Sequence, residues 1–403
     1  MRYCFYSGYK DLKGGYTTLL LTLISGLVRQ KQEVVLINFS GGLIADELKK
    51  QGISIRLIGL DNHNWKEISS MILSTDIFII IRFEEVLKHL FKVNPRIVYF
   101  DINDFIGQIS DYKFRLRIPF LGKKLVSRLV AEKSLFFMDD TGVFNLKKHF
   151  GITIKNPVYL PIPVNVPNEN IYLNRNRPVG DIIHLTYIGR SVIWKMMPLM
   201  KILEDCAKVS KNLKICFSVV VDNLAEFNRY INIDEYNKNQ HFKIRVEENM
   251  PPSAINEFLL LNADLHFAMG TAALDAAKLG IPTILVDYST KPFPSGYQYK
   301  WLYETSNYNL GRNLENRQAD HGVFMDTLLN ILSVDQKDLP VHSENSYQYV
   351  LNNHSVDLIM DRLVELCQVA TFRLKQAKNL VPFYWNALGF IKRIIGTSAE
   401  SHQ

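Results

Sequence analysis

Two short stretches of this chain carry residues suited to holding a phosphorylated ligand. The first is Gly189-Arg190-Ser191-Val192-Ile193-Trp194-Lys195, which follows the apolar run Ile182 to Ile188. Arginine presents a planar fork of donors and lysine a movable point charge, so the pair suits a diphosphate. When a bond to such a diphosphate breaks, negative charge grows on the leaving group, and fixed cations aimed there stabilise the transition state. Arginine and lysine near a strand end are also ordinary surface charge, and the spacing G-R-x-x-x-x-K alone does not separate the two. The second stretch runs from Asp264 to Asp287. Asp264 to Ala268 is a short apolar run with a polar stop, the pattern of a buried strand. Gly270-Thr271 is a tight break, Ala272 to Lys278 are helix formers, and Gly280 ends them like a helix C-cap. Ile281 to Val286 is β-branched and reads as a second strand. Strand, glycine turn, helix, strand is a βαβ unit with parallel strands. Its first turn would offer the backbone N–H groups of Gly270, Thr271 and Ala272 at the carboxyl end of a strand, where open α/β sheets bind phosphate. Asp275, one helical turn further on, is placed to accept hydrogen bonds from ligand hydroxyls. The same unit serves equally well as plain α/β packing.

The elements that must position these residues repeat through the chain. Arg2 to Tyr6 reads as a first strand, and Gly14-Gly15 opens a helix with Leu20, Leu23, Ile24, Leu27 and Val28 at helical spacing. Strands then alternate with helices up to the strand Arg96 to Phe100, which predicts a doubly wound parallel sheet. Ser134 to Met138 reads as a further strand and Asp140-Thr141 as the cap of a helix to Phe150. The prolines 157, 161, 163 and 167 mark a linker. A second alternation starts at Ile182, with a helix over Met197 to Ser210 and a last helix from Ser355 to about Val369. At 403 residues, two domains are the default.

Composition narrows the function classes. The formal charge of +7 is modest and compatible with phosphates, with an anionic membrane surface, or with neither. Four cysteines are scattered, with no C-x-x-C and no paired histidines, so neither a zinc site nor a disulfide framework is indicated and reduced cytoplasmic thiols are expected. MRYCFYSGYKD lacks the apolar core of a signal peptide, and no apolar run is long enough to span a bilayer. No zinc finger, RNP-like aromatic motif or helix-turn-helix pattern accompanies the basic residues, which argues against nucleic acid as a partner.

The frame Leu274-Asp275-Ala276 followed by Gly280-Ile281-Pro282-Thr283-Ile284, together with Gly189-Arg190…Lys195, resembles the donor segments of bacterial glycosyltransferases of the GT-B fold, in particular the retaining family 4-like group. That resemblance implies two Rossmann-like domains facing a cleft: an acceptor domain over 1–165, a linker over 166–180, a nucleotide-sugar domain over 181–345, and helices over 346–403 that return to the first domain and end in a basic amphipathic tail. It implies that Arg190 and Lys195 bind the donor diphosphate with Gly189, Gly270, Thr271 and Ala272 around them, that Asp275 binds ribose, and that Gly14 and Gly15 border the donor. Asp101-Ile102-Asn103-Asp104 resembles a D-x-H-D loop, with Asn103 where related enzymes carry histidine. An amide donates a hydrogen bond but takes no proton, so Asn103 would orient substrate. A second glutamate usual in retaining members is replaced by Phe267. No metal and no cofactor is implied beyond the nucleotide diphosphate-sugar itself, since two cations do the work of one ion and no D-x-D motif stands at a strand end.

Two basic and apolar segments, Lys113 to Lys133 and Arg373 to Ile395, have the composition of peripheral membrane anchors, and equally of surface helices with a solvated face. Related enzymes dock on the inner leaflet of the plasma membrane, which implies a cytoplasmic protein on that surface. The loop Asp287 to Trp301, with Tyr288, Phe293, Tyr297, Tyr299 and Trp301, would cradle a sugar or pack internally. The implied activity is sugar transfer to a cell-surface polysaccharide such as capsule or O-antigen, or to its lipid-linked precursor. A non-catalytic binding subunit and a nucleotide-sugar epimerase of the same fold are the alternatives.

Overall fold

The computed structural model describes residues 1–11, 14–81, 83, 85–102, 118–174, 181–211, 213–316, 332, 338–378 and 380. The chain divides into two compact units, Met1–Pro163 with Val356–Gln403, and Val164–Ser355. In the first, β1 (Arg2–Tyr6), β2 (Glu33–Asn38), β3 (Arg56–Gly59), β4 (Ile77–Ile80), β5 (Arg96–Asp101) and β6 (Leu135–Phe137) pair in parallel in the order β3-β2-β1-β4-β5-β6. In the second, β7 (Ile182–Ile188), β8 (Lys214–Val221), β9 (Phe242–Glu248), β10 (Leu265–Ala268), β11 (Thr283–Leu285) and the short β12 (Lys300–Trp301) follow the order β12-β11-β10-β7-β8-β9. All pairs there are parallel except β11 with β12. Read from its own first strand, each sheet has the doubly wound dinucleotide-fold order. Each therefore has one switch point where the winding reverses, between β1 and β4 in the first unit and between β7 and β10 in the second.

The strands are legible because both faces are covered. β8 is buried from Ile215 to Val221, and β4 throughout. Each fully buried Leu, Ile or Phe contributes about 1.5–3 kcal/mol, so these runs outweigh any single cap or surface pair. The helix Val356–Val369 packs on the Gly15–Arg29 helix of the first unit. A Cβ on Gly26 would lie 2.5 Å from Met360, so this approach needs a glycine. Phe372, Leu374, Ala377 and Leu380 then bury themselves in the core of the same unit.

Several sequence expectations shift. The segment Glu85–Leu90 is a 3-10 helix, where an α-helix was expected. The cap of the Asp140–Phe150 helix is Asp139, whose carboxylate accepts from the Thr141 N–H at 2.8 Å. Part of the proline-punctuated linker is packed down: Tyr347 Oη donates to the Pro167 carbonyl at 2.6 Å, and Asn170 Nδ2 donates to Ser343 Oγ at 3.1 Å. The helix Leu339–His354 had no sequence signal, because its buried face is Ser343, Ser346, Tyr347, Val350 and His354 and shows no apolar stripe. The helix Ile118–Ala131 turns Leu125, Val126 and Leu129 into the core and leaves Lys123, Lys124 and Arg128 exposed, so its apolar half is already used. Residues 113–117 and 381–395 of the two basic segments lie outside the described residues. Among the described residues no helix is long and apolar enough to cross a membrane.

Candidate functional site at the β7–β10 switch point

Strand register joins the two stretches singled out in the sequence. β10 lies beside β7 with Leu265 opposite Leu185, His266 opposite Thr186 and Phe267 opposite Tyr187. The chain leaves β7 into Gly189-Arg190 and leaves β10 into Met269-Gly270. Adjacent strands are about 4.8 Å apart, so these exits are neighbours at the carboxyl edge of the sheet, on the two sides of the switch point.

After β7, Gly189 donates its N–H to the Val220 carbonyl at 3.0 Å. A Cβ there would stand 2.7 Å from the Tyr187 ring, so Gly189 serves close packing and its amide is spent on β8. Ser191 ties the loop to the next strand end: its N–H donates to Asp222 Oδ1 at 2.6 Å and its hydroxyl to the Asn223 carbonyl at 2.7 Å. The helix then begins at Ile193, earlier than the expected Met197, because the Val192 carbonyl accepts from both Lys195 and Met196. Pro198 is tolerated inside it. Lys195 thus rides on the first helical turn, and its carbonyl accepts from Tyr187 Oη at 2.9 Å. Trp194 stands beside both cations: Arg190 Cζ is 5.9 Å and Lys195 Nζ 5.3 Å from its ring centre. Arg190 is exposed and Lys195 half-buried. Burial, and next the Arg190 guanidinium, push the Lys195 ammonium down to about 8, against the pull of Asp222.

After β10, Gly270 takes φ 64 and ψ −146, a conformation open to glycine and hostile to a side chain. Its N–H is not available to a ligand, contrary to expectation, because it donates to the Leu310 carbonyl at 2.7 Å. Thr271 and Ala272 open the helix Thr271–Ala277, and first-turn amides have no acceptor within their own helix. Thr271 is exposed and Ala272 half-buried. Asp275 is half-exposed, and its Oδ1 accepts from Lys278 Nζ at 2.6 Å, a partner the sequence did not reveal. Below the turn, His266 is fully buried, with Nδ1 2.8 Å from Thr186 Oγ1. Burial pushes its imidazole down to about 3, so it stays neutral.

A second lock was also hidden in the sequence. Asp287, past β11, accepts from the Arg312 backbone N–H at 2.8 Å and from the Arg312 guanidinium at 2.9 and 3.3 Å. Both side chains are almost fully buried. Tyr288 donates its N–H to the Arg312 carbonyl, and Leu314 its own to Tyr288. The segment that reaches over to Gly270 is therefore clamped at Asp287. Tyr297, Tyr299 and Trp301 continue inward from this point. Phe293, Tyr297, Tyr299 and Phe267 stack edge to face in sequence, with Tyr299 and Trp301 fully buried. Most of the aromatic loop therefore fills the core of its own unit. Phe267 does likewise, against Phe217; a glutamate there would be a buried charge.

In the first unit, Gly14 precedes the Gly15–Arg29 helix with φ 128, again glycine's territory. The loop leading to it leaves β1 at the switch point, held by Asn38 Nδ2 donating to the Ser7 and Tyr9 carbonyls at 2.8 and 3.1 Å. Asp101 closes β5 and turns inward: a Cβ on Gly142 would lie 2.6 Å from its Oδ2. Asn103 and Asp104 lie outside the described residues. Among the described residues no cluster of His, Cys, Asp and Glu could hold a metal ion.

One consequence is a pH dependence of anion binding. An ammonium that titrates near 8 in the free protein must be held protonated by a bound diphosphate, so its pKa rises on binding. Affinity should then fall as pH rises past about 8, with proton uptake on binding in that range. Calorimetry with a nucleoside diphosphate from about pH 6.5 to 9.5 tests this. Lys195→Arg stays charged throughout and should flatten the fall; parallel curves for the two proteins would remove Lys195 from the site.

No protein-family model matches the sequence, and no curated protein does. Solved structures do match. A glycosyltransferase from Rickettsia africae superposes with a TM-score of 0.57 at 12% identity, covering 91% of this chain and 97% of the other. A S. aureus TarM variant in complex with fondaparinux, alpha-GlcNAc-glycerol and UDP gives 0.54 at 10% identity, covering 91% and 99%. An alpha-glucosyltransferase in complex with UDP and a DNA containing a HMU base gives 0.50 at 13% identity, covering 91% and 99%. What these likenesses establish is the fold: the two Rossmann-like α/β units of the GT-B glycosyltransferases.

Proposed function

We propose that the protein is a glycosyltransferase that takes a sugar from a nucleotide diphosphate donor. The observation that carries this is the β7–β10 register, which brings Arg190 and Lys195 beside the Gly270 turn at a switch point. Two cations and two unspent helix amides at such a place suit a diphosphate, and UDP is named with two of the matched structures. Lys195 and Arg190 hold the diphosphate, the Thr271 and Ala272 amides add donors, and Asp275 with Lys278 reaches the ribose. Metal independence belongs to this reading, since both charges the leaving group needs are on the protein.

The acceptor is a cell-surface glycan or its lipid-linked precursor. Across this fold acceptors differ, DNA being present in one matched structure; this chain lacks the motifs that accompany nucleic-acid recognition. Transfer retains the anomeric configuration. An inverting enzyme needs a protein base to deprotonate the acceptor; Asn103 is no base and Asp101 is buried against a helix start, which leaves Asp104 of the same loop as the base of the inverting alternative. Incubation with a panel of nucleotide sugars and a defined acceptor tests both points. Nucleoside diphosphate should appear only when acceptor is present, and NMR of the product should show the donor's anomeric configuration. The opposite configuration would sink retention, and no release with any donor would sink the activity.

The site of action is the inner face of the plasma membrane, through Lys123, Lys124 and Arg128 together with the tail past Leu380. Arg128 donates to the Gln376 carbonyl at 3.2 Å, so the helix Ile118–Ala131 and the described start of the second basic segment are neighbours in the first unit. Each basic residue near an anionic surface contributes about 1 kcal/mol, so Lys123→Glu with Lys124→Glu should release the protein from phosphatidylserine vesicles, as should added salt. Equal sedimentation of variant and wild type would dismiss this surface.

A further inference from the structure

Resting on the donor reading above, we propose that Trp194 is a positioning residue that holds Arg190 and Lys195 as one spaced pair of cations for the diphosphate. Both charges lie within 6 Å of the same ring centre. Two cations so close repel, and the half-burial of Lys195 removes part of the water that would screen its charge. The negative face of an indole attracts a cation without carrying a charge, and tryptophan does this better than the other aromatic side chains. A carboxylate in that place would neutralise the pair and compete with the ligand. An indole keeps the cations near and leaves their charge for a phosphate.

The ring is itself held. Tyr288 meets it edge-on, with ring centres 5.8 Å apart. Tyr288 is fixed through Arg312 to the buried Asp287 carboxylate. Trp194, carried on the helix after β7, is thereby braced by the segment after β11. The cations on one side of the switch point are set in register with the Gly270 turn, which the neighbouring Leu310 carbonyl holds. Such bracing fixes the geometry before the ligand arrives, which lowers the ordering cost of binding.

The test is UDP titrated by calorimetry into the full chain as wild type, Trp194→Leu and Trp194→Phe, from about pH 6.5 to 9.5, with melting temperatures as a control on folding. Leucine keeps an apolar filling and removes the π-face. Trp194→Leu should weaken UDP about tenfold near pH 7.5 and move the alkaline fall of affinity to lower pH, because the ammonium loses a group that favours its charged form. Trp194→Phe should lie between. In the wild type, UDP should change tryptophan emission, and in Trp194→Phe that change should vanish. If Trp194→Leu matches wild type in affinity and in the pH of the fall, Trp194 only fills space and the inference is wrong while the donor reading stands. If UDP does not bind the wild type, the donor reading fails and takes the inference with it.

Discussion

Replacing Lys195 with alanine is expected to lower transfer turnover about a hundred- to a thousand-fold, the usual cost of removing one fixed donor from a developing anion. Binding of the nucleotide-sugar donor should weaken less, by about 1.5–3 kcal/mol, because the leaving diphosphate carries more charge in the transition state than in the bound donor. Arg190→Ala should fall at the lower end of both ranges. Arg190 is exposed, so water and salt screen its charge, whereas Lys195 is half-buried on a helical turn whose backbone Tyr187 braces. The difference between the variants should widen as ionic strength rises. Turnover and donor affinity measured side by side check this. A loss of donor affinity with turnover unchanged would mean that Lys195 binds ground state and transition state alike, and unchanged values in both variants would vacate the diphosphate assignment.

Asp287→Ala should cost the second unit about 3–5 kcal/mol of stability, the range for stranding one member of a buried ion pair. The carboxylate accepts three hydrogen bonds from Arg312, and both groups are nearly inaccessible to water. Its loss leaves a guanidinium uncompensated in the core and frees the segment whose Leu310 carbonyl holds the Gly270 turn. UDP affinity should therefore drop together with stability, although Asp287 touches no ligand in this account. Replacing both partners, Asp287→Leu with Arg312→Met, should recover much of the stability, since no charge is left buried, and little of the affinity, since the clamp on the turn is gone. Urea unfolding of the three proteins is the check. A loss below about 1 kcal/mol for Asp287→Ala would show that the pair contributes nothing net.

The alternation of strands and helices and both glycine turns were readable in the sequence because their causes are local. Buried parallel strands write themselves as runs such as Ile182–Ile188 and Lys214–Val221, and Gly14 and Gly270 stand where only glycine takes the backbone angles. What stayed hidden depends on partners distant in the chain. Asp287 gives no sign that Arg312 answers it, and Trp194 reads as one more apolar residue until two cations are seen beside it. Gly270 offered an amide on paper, and only the folded chain brings the Leu310 carbonyl to take it. The Leu339–His354 helix was silent for another reason: serines and a histidine form its buried face, so the usual stripe is missing. Asp275 shows the same limit at short range, since its i,i+3 spacing from Lys278 is visible in the sequence but the ion pair depends on side-chain conformation.

The central claim is that a nucleoside diphosphate sits at the β7–β10 switch point of the second unit. A crystal structure of the protein grown with UDP tests it most directly. The account predicts the diphosphate between Lys195 and the Thr271 and Ala272 amides, within about 3 Å of the lysine Nζ, with the ribose toward Asp275. UDP bound elsewhere, with Lys195 and the Gly270 turn untouched, would contradict it.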